Sequence, residues 1–427
     1  TKILLHDVNA NGIVYLDMYI DLKCLNEKEL QYLSLLTALL GKLDTQNYDY
    51  SNLSNTIGIE TGGIGFNENI LAEIHSEDYQ IKHSIKGKSL VSKFPQMLDL
   101  ISEIIFTTKF DDKDKILEII KKQKTLLDNY LLSAGHIVAI NRLNSYYSKT
   151  GKINDIIKNV GFMKFLKNIL DNFDNEFENI KSNLERLVEK IYTKNGLIIS
   201  LSAEKNDLKV KDQLATFIDK FSTRVNKDAI LNFDFSAKNE AIPTPANIQF
   251  VAQGYNFKNL GFEYNGALKV IKTAFSVSYL IQKIRVMGGA YGAMSVFGES
   301  GNSYFCSYRD PNLTKTLEAY KGLPAFLKNL NLDERTILNY IIATIGNIDM
   351  PLTASMKGAK ATMNYLTGRT LEDIQKEREQ IINFDKSEFV KGAKIVEKML
   401  DKNYFCVVGN SANIAENIDL FDSKLEL

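Results

Sequence analysis

Hydrophobic residues recur along this chain with two different periods, and the period indicates which segments form strands and which form helices. Residues 12–22 (GIVYLDMYIDL) show the alternation of β-branched and aromatic residues that predicts a strand, whereas residues 26–42 have apolar positions at helical spacing. A strand led by two glycines is predicted at 60–76, and residues 79–87 can pair with it as a hairpin. Helical spacing then continues to about residue 190, and a strand at 195–204 closes this first half.

The same order of elements recurs in the second half of the chain. Its segments are a strand at 246–257, a helix at about 264–286, a strand led by Gly288 and Gly289 at 288–298, its hairpin partner at 302–310, further helices that include one long segment at 370–400, and a final strand at 403–410. Gly62 and Gly63 correspond to Gly288 and Gly289 in this order, so the pattern is an internal repeat.

This repeat predicts an α+β fold with two homologous domains, each a mainly antiparallel sheet packed on one face by several long helices. We place the first domain at residues 1–235 and the second at 236–427. The link between them is residues 226–247, where a polar run with Pro243 and Pro245 interrupts the periodicity.

Composition narrows the function classes. Lys plus Arg and Asp plus Glu balance at 52 each, which argues against a protein whose main task is to bind nucleic acid or an anionic membrane. No apolar run approaches the roughly 18 residues that cross a bilayer, so we expect a soluble protein of a bacterial cytoplasm or an organelle matrix. The three cysteines lack paired or metal-binding spacing, and the start at Thr1 suggests a piece of a longer or processed protein.

The usual catalytic motifs are missing from the sequence. Four histidines are present, but neither H-E-x-x-H nor H-x-x-E-H occurs, so we expect no metal bound by this chain itself. GKSL (87–90) lacks the first glycine of a phosphate-binding loop, and GESGN (298–302) fits a hairpin turn. Cys306 lies in an apolar strand pattern, which favours packing over nucleophilic chemistry.

Residues 285–297 (RVMGGAYGAMSVF) concentrate glycine beside a cation and a phenol. From the residues alone, Gly288 and Gly289 offer the left-handed conformation that ends a helix, and Arg285 faces the last carbonyls of that helix. Tyr291 is then an amphipathic residue at the edge of a sheet. A functional role for this cluster stays open on sequence physics alone.

A resemblance changes the interpretation of this cluster. The segments that carry it are RVMGGAYGAMSVF (285–297), SYRDPN (307–312), NGIVYLDMYIDL (11–22), YDYSNLSNTIGIETGGIGF (48–66) and NYFCVVGN (403–410). In this order they resemble the C-terminal half of the presequence-protease and falcilysin branch of the insulinase-type (inverted zincin) zinc metallopeptidases. The chain departs from the family at 40–45 (LGKLDT), where the family tends to have Leu-Gly-Thr.

The resemblance implies a clamshell enzyme of two halves around a chamber for unstructured peptides. Zinc and its glutamate base would belong to the N-terminal half, which is the implied partner, so this fragment alone is predicted to be inactive and to bind no cofactor. Arg285 and Tyr291 match the family's R-x5-Y pair, which implies that Tyr291 donates to the oxyanion and that Arg285, with Gly288 and Gly289, contacts the substrate backbone. The alternative is a non-catalytic scaffold or peptide-binding relative of the same fold.

Overall fold

The computed structural model describes residues 1–236 and 238–427, which form two compact units. Unit 1 comprises Thr1–Leu126, Ile156–Asn232 and Pro351–Gly368, and unit 2 comprises Leu127–Asp155, Phe233–Met350 and Arg369–Leu427. The chain therefore crosses between the predicted domains near residue 235, at 232/233. Each unit also takes a segment from the other half of the sequence, which the linear ranges 1–235 and 236–427 do not describe.

The first half of the chain supplies five strands and a series of helices. The strands are β1 (Lys2–Asp7), β2 (Ile13–Asp21), β3 (Ile64–Ala72), β4 (Tyr79–Leu90) and β5 (Ile198–Ala203). The helices are α1 (Glu27–Leu39), α2 (Tyr50–Glu60), α3 (Phe94–Thr107), α4 (Lys113–Ser133), α5 (Gly135–Asn144), α6 (Lys149–Lys158), α7 (Val160–Asp171), α8 (Phe173–Ile191) and α9 (Leu214–Asp219).

The second half supplies six more strands and the remaining helices. The strands are β6 (Asn239–Thr244), β7 (Gln249–Asn256), β8 (Gly292–Phe297), β9 (Asn302–Tyr308), β10 (Phe405–Asn410) and β11 (Ser423–Lys424). The helices are α10 (Ala267–Phe275), the π-helical segment Ser276–Val286, α11 (Thr314–Lys321), α12 (Leu323–Lys328), α13 (Glu334–Ile348), α14 (Ala354–Thr367), α15 (Leu371–Ile382), α16 (Ser387–Leu400) and α17 (Ser411–Glu416).

The two sheets repeat one topology. In unit 1 the strand order is β1-β5-β2-β4-β3, with β1 parallel to β5 and the other neighbours antiparallel. In unit 2 the order is β11-β6-β10-β7-β9-β8, and the five strands from β6 to β8 pair in the same senses as their counterparts. The predicted α+β fold is confirmed, and the internal repeat is visible in the pairing of the strands.

The core of unit 2 lies on one face of its sheet. Phe305, Val251 and Val407 project to this face and pack with residues of α10, α16 and the π-helical segment. Because side chains alternate along a strand, neighbours such as Phe250 and Tyr308 project to the opposite face. There they meet α5, since a Cβ on Gly135 would lie 2.4 Å from the Phe250 ring. The sheet of unit 2 thus carries a helix on its second face as well.

The corresponding face in unit 1 is covered by α14, which is encoded in the second half of the chain. The Thr362 hydroxyl pairs with the Ser200 hydroxyl at 2.8 Å, and Gly358 lies so close to Ser202 that a Cβ would fall 1.8 Å from its Oγ. His6 on β1 contacts Thr362 at 2.9 Å. A layer of small and polar residues therefore connects this helix to the sheet.

Three details differ from the sequence prediction. The segment 370–400 is two helices, α15 and α16, because the chain turns at Asn383 and the Asp385 carboxylate accepts from the N–H of Ser387 at the next helix start. Residues 239–244 of the predicted link form β6, with Pro243 inside it. Among the described residues β11 pairs only with Glu240 and Ala241 of β6, so the missing N–H of Pro243 lies beside an open edge, where it costs no ladder bond.

The third difference is at the glycine cluster, where β8 begins at Gly292 instead of at residue 288. Residues 288–291 form the connection between the π-helical segment and the strand. None of the helices in the described part of the chain is long and apolar enough to span a membrane.

Candidate functional site

The glycine cluster ends a helix in an unusual way. The last turns before it are π-helical, a geometry that is rare and frequent at functional sites. Gly289 has φ +81° and its N–H donates to the Arg285 carbonyl at 2.9 Å, which is a left-handed helix end. Gly288 is not left-handed, contrary to the sequence expectation. It must be glycine because a Cβ there would lie 2.5 Å from the Ile284 carbonyl oxygen.

The segment 307–312 frames the cluster from the neighbouring strand. The N–H of Tyr291 donates to the carbonyl of Tyr308 at 3.1 Å, and the amide Nδ2 of Asn312 donates to the carbonyl of Gly288 at 2.6 Å. Arg309 has φ +49° and is an extra residue in the ladder, a β-bulge, because Ala252 pairs with Cys306 but Gln249 pairs with Asp310. The bulge and the asparagine fix the backbone on both sides of Tyr291.

Buried polar contacts hold this frame in place. Asp310 is fully buried, and its carboxylate accepts from the Thr316 hydroxyl at 2.6 Å and from the Asn312 N–H at 2.9 Å. The backbones of Asp310 and Gln249 exchange two hydrogen bonds of 2.7 and 2.9 Å. A buried carboxylate with several donors is a rigid anchor, so the loop after β9 is held against the sheet.

Arg285 and Tyr291 lie side by side on this frame. The Arg285 Cζ is 5.9 Å from the centroid of the Tyr291 ring, which is within the range of a cation–π contact. Both side chains are exposed, and Tyr291 retains 69% of its accessible surface. Neither the guanidinium nor the phenol hydroxyl makes a hydrogen bond or an ion pair within the described ranges. Five N–H donors and one O–H donor are therefore available to a ligand.

Three aromatic residues behind Tyr291 are functional candidates that the sequence did not reveal. The Tyr291 ring meets the Tyr308 ring edge to face at 5.8 Å, and the Tyr308 ring meets that of His136 at 4.7 Å and that of Phe250 at 5.6 Å. Tyr308 could have been found from the hairpin register, because it pairs with Gly292. His136 could not, since α5 comes from the other half of the sequence and no local pattern links it to the cluster.

His136 is a partly buried, neutral imidazole. Burial lowers the pKa of His136 below its ordinary value. Its Nδ1 is buried and has no hydrogen-bond partner. The ring therefore contacts its neighbours mainly through packing with Tyr308 and Phe250.

The described residues do not fit the zinc that the resemblance implies. The part of the chain covered by the structure contains no group of three or more His, Cys, Asp or Glu that could hold a metal ion. His83 is fully buried, and burial lowers its pKa to about 3. Burial also raises the pKa of Cys306 well above its ordinary value, so it stays a thiol inside the sheet.

Two family models match consecutive parts of the chain. The model for the region associated with peptidases of subfamily C of the M16 family matches residues 1–169, and the "PreP C-terminal domain" matches residues 239–412. The first contains His136, and the second contains Arg285, Tyr291 and Tyr308.

Curated relatives match over nearly the whole chain. Protein HypA of Clostridium perfringens (strain 13 / Type A) is 36% identical over 420 residues, which cover 98% of this chain and 43% of that protein. Presequence protease 1, chloroplastic/mitochondrial, of Arabidopsis thaliana is 28% identical over 428 residues, 99% of this chain and 39% of that protein. The chain thus spans less than half the length of these relatives.

Solved structures share the fold. The crystal structure of a peptidase M16 inactive domain from Pseudomonas fluorescens superimposes with a TM-score of 0.64 at 13% identity, covering 96% of this chain and 95% of that chain. A conserved protein from Enterococcus faecalis V583 gives a TM-score of 0.65 at 15% identity, covering 96% of each chain. The resemblance inferred from the sequence is confirmed. With two family models matched in succession and relatives aligned from end to end, the chain belongs to the M16 peptidase family, as a C-terminal half of the presequence-protease type.

Proposed function

We propose that this chain is the non-zinc-binding half of a zinc endopeptidase that degrades unstructured peptides, and that it is inactive alone. In this proposal the chain encloses the peptide together with an N-terminal half, in a bacterial cytoplasm or an organelle matrix. The observation that carries it is the pairing of an exposed phenol with an exposed guanidinium on a rigid backbone frame. Two exposed donors without partners of their own suit a ligand rich in carbonyl oxygens.

Tyr291 has the role of oxyanion donor. When a peptide carbonyl is attacked, negative charge develops on its oxygen, and a preorganised O–H donor stabilises that charge. The Tyr291 hydroxyl is not engaged within the described chain, so it needs to break no internal bond in order to donate. Its backbone is fixed by the bond to the Tyr308 carbonyl, which limits the entropy lost on binding.

Arg285 has the role of holding the peptide backbone. Its guanidinium can donate two parallel hydrogen bonds to carbonyl oxygens and so set the register of the bound peptide. Gly288 and Gly289 give the connection a bare surface that a peptide backbone can approach. The metal of such an enzyme would be held outside the described residues, so these roles concern only the side chains of this chain.

The experiment compares Arg285→Ala with Lys283→Ala in the whole enzyme, using a fluorescence-quenched unstructured peptide. Both residues are exposed cations in the last turn of the same helical segment, so both face the negative end of its dipole. A substrate role predicts that Arg285→Ala raises KM and lowers kcat, while Lys283→Ala changes neither. Equal small losses of thermal stability with unchanged kinetics in both variants would show that Arg285 is only a helix-end residue.

Mixing this chain with the N-terminal half, zinc and the peptide separates the remaining alternatives. Cleavage by the mixture and by neither half alone supports the proposal. Peptide binding without cleavage identifies a peptide-binding relative, and neither binding nor cleavage identifies a scaffold.

A further inference from the structure

The exposed Tyr291 ring must be held by something other than its own surroundings in solvent. With 69% of its surface accessible, the side chain has few contacts, and its ring contacts among the described residues are Tyr308 at 5.8 Å and Arg285 at 5.9 Å. An exposed tyrosine with a free hydroxyl would otherwise sample several rotamers. The role of donor proposed above requires one orientation, because a loosely held group loses most of its effect.

Tyr308 is positioned to supply that orientation. Its ring stands at 71° to the Tyr291 ring, an edge-to-face arrangement that aromatic pairs prefer. On its other sides it contacts His136 at 4.7 Å, Phe250 at 5.6 Å and the Arg309 guanidinium at 5.6 Å. The Tyr308 ring is therefore enclosed by three neighbours, whereas Tyr291 has it as its only aromatic neighbour in the described part of the chain.

His136 is the least expected member of this stack. It lies at the first turn of α5, next to Gly135, whose missing Cβ lets the helix approach Phe250 and Val408. The imidazole crosses the Tyr308 ring at 79°. Because its buried Nδ1 has no partner, this histidine is placed there by ring packing and not by a hydrogen bond of that atom.

We infer that Tyr308 and His136 are positioning residues that hold the Tyr291 ring through a stack of aromatic contacts. The catalytic meaning of this inference rests on the proposed function, but the packing itself does not. A segment from the first half of the chain thus completes a site whose exposed residues all come from the second half.

The first test measures the ring directly in the 427-residue chain, labelled with fluorotyrosine. The Tyr291 signal is identified by its loss in Tyr291→Phe, and its fluorine relaxation is compared in His136→Leu and Tyr308→Leu. Both variants are expected to shift the Tyr291 signal and to increase the ring's motion. Tyr308→Phe keeps the ring and is expected to match the wild type. Tyr304→Leu is the control, because it lies on the same face of β9 without a ring contact to Tyr291.

An unchanged Tyr291 signal in both leucine variants would overturn the inference, as would an equal change in Tyr304→Leu. Should His136→Leu fail to fold, His136→Phe preserves a ring and is expected to leave the Tyr291 signal near that of the wild type. A strongly altered signal in that variant would also count against ring packing.

The second test is a double-mutant cycle for kcat in the whole enzyme. An aromatic pair contributes enough for His136→Leu and Tyr308→Leu each to lower kcat by roughly 2- to 12-fold. In the Tyr291→Phe background, where no hydroxyl remains to be oriented, the same substitutions are expected to cost nothing further. Full, multiplicative losses in that background would show a general structural role instead. If Tyr291→Phe itself leaves kcat unchanged, the proposed function fails, while the relaxation measurement still decides the inference.

Discussion

Gly288 and Gly289 are adjacent, but each lacks a side chain for a different reason. Gly289 adopts φ +81°, whereas Gly288 is in contact with the helix carbonyl at Ile284. Their order in the sequence predicted the end of a helix correctly. It did not predict which of the two would be left-handed, because both are equally permissive and only the packing of the segment 307–312 decides.

Gly289→Ala is expected to destabilise the chain by about 1–2 kcal/mol, the usual cost of a left-handed conformation in a residue with a Cβ. A new methyl group would meet only Pro311, at 3.6 Å, so the cost is conformational and not steric. Urea unfolding measures it. The matched control is Gly346→Ala, at an exposed position within α13 with nothing within 4 Å of the new methyl group, which is expected to stabilise by about 0.5–1 kcal/mol. Equal effects of the two substitutions would contradict this account.

His83 gives unit 1 a pH dependence. Burial lowers its pKa to about 3, from 6.5 when exposed. Between these two pH values the unfolded chain binds a proton that folded His83 does not, so stability falls as the pH decreases through this window. The slope is about 1.4 kcal/mol per pH unit for one such group. His83→Gln is expected to remove this part of the slope in urea unfolding, whereas His75→Gln, at an exposed position, is expected to keep it. An unchanged slope in His83→Gln would contradict the assignment.

At the scale of elements, α5 is fixed to unit 2 by a buried ionic cluster. Arg142 donates two hydrogen bonds to Glu240 on β6, at 2.6 and 3.0 Å, and one to Asp155 at 2.6 Å. The Tyr146 hydroxyl also donates to Glu240, at 2.9 Å. Burial alone would raise the pKa of Glu240, but the hydrogen bonds and charge of Arg142 lower it overall, so the carboxylate stays ionised. The cluster holds the helix that carries His136.

Arg142→Met is expected to destabilise unit 2 by about 3–5 kcal/mol, because it leaves two carboxylates buried without a cation. Arg378→Met is the control, since Arg378 makes a comparable two-bond contact with Asp349 in an exposed position and is expected to cost far less. Thermal unfolding of the two variants decides this. Similar losses in both would mean that burial adds nothing to the Arg142 cluster.

The elements that the sequence failed to predict have weak apolar stripes. α2 has one buried residue, Leu53, and begins because the Asp49 side chain accepts from the Asn52 N–H. α14 buries Gly358 and Thr362 against the serines of β5, so its packed face is small and polar. Hydrophobic periodicity cannot report a helix of this kind, whereas it reported the core-facing helices and both hairpins.

The site was predictable to a similar extent. Arg285 and Tyr291 stood out by residue type and spacing, and Tyr308 follows from the register of the hairpin. His136 depends on a helix from the first half that packs in unit 2, which is a tertiary contact without a local signal. The exchange of α5 and α14 is also why a linear boundary at residue 235 cannot describe the units.

At the scale of the whole molecule, two copies of one sheet topology carry different chemistry. Their glycine-led edge strands, β3 and β8, occupy corresponding positions, but only the second is preceded by an arginine and a tyrosine in the R-x5-Y spacing. The repeat thus provides the scaffold, and the residues before β8 provide the donors. The proposed activity depends on the length of relatives that this chain does not span.

The kcat of Tyr291→Phe in the whole enzyme tests the central claim most directly. The substitution removes one exposed hydroxyl that has no partner in the described chain, so the melting temperature is expected to stay within the error of the wild type. Loss of a preorganised oxyanion donor is expected to lower kcat by about 10² to 10³, or roughly 3 to 4 kcal/mol. A variant that is equally stable and cleaves the peptide at the wild-type rate would contradict the role of Tyr291 as a donor.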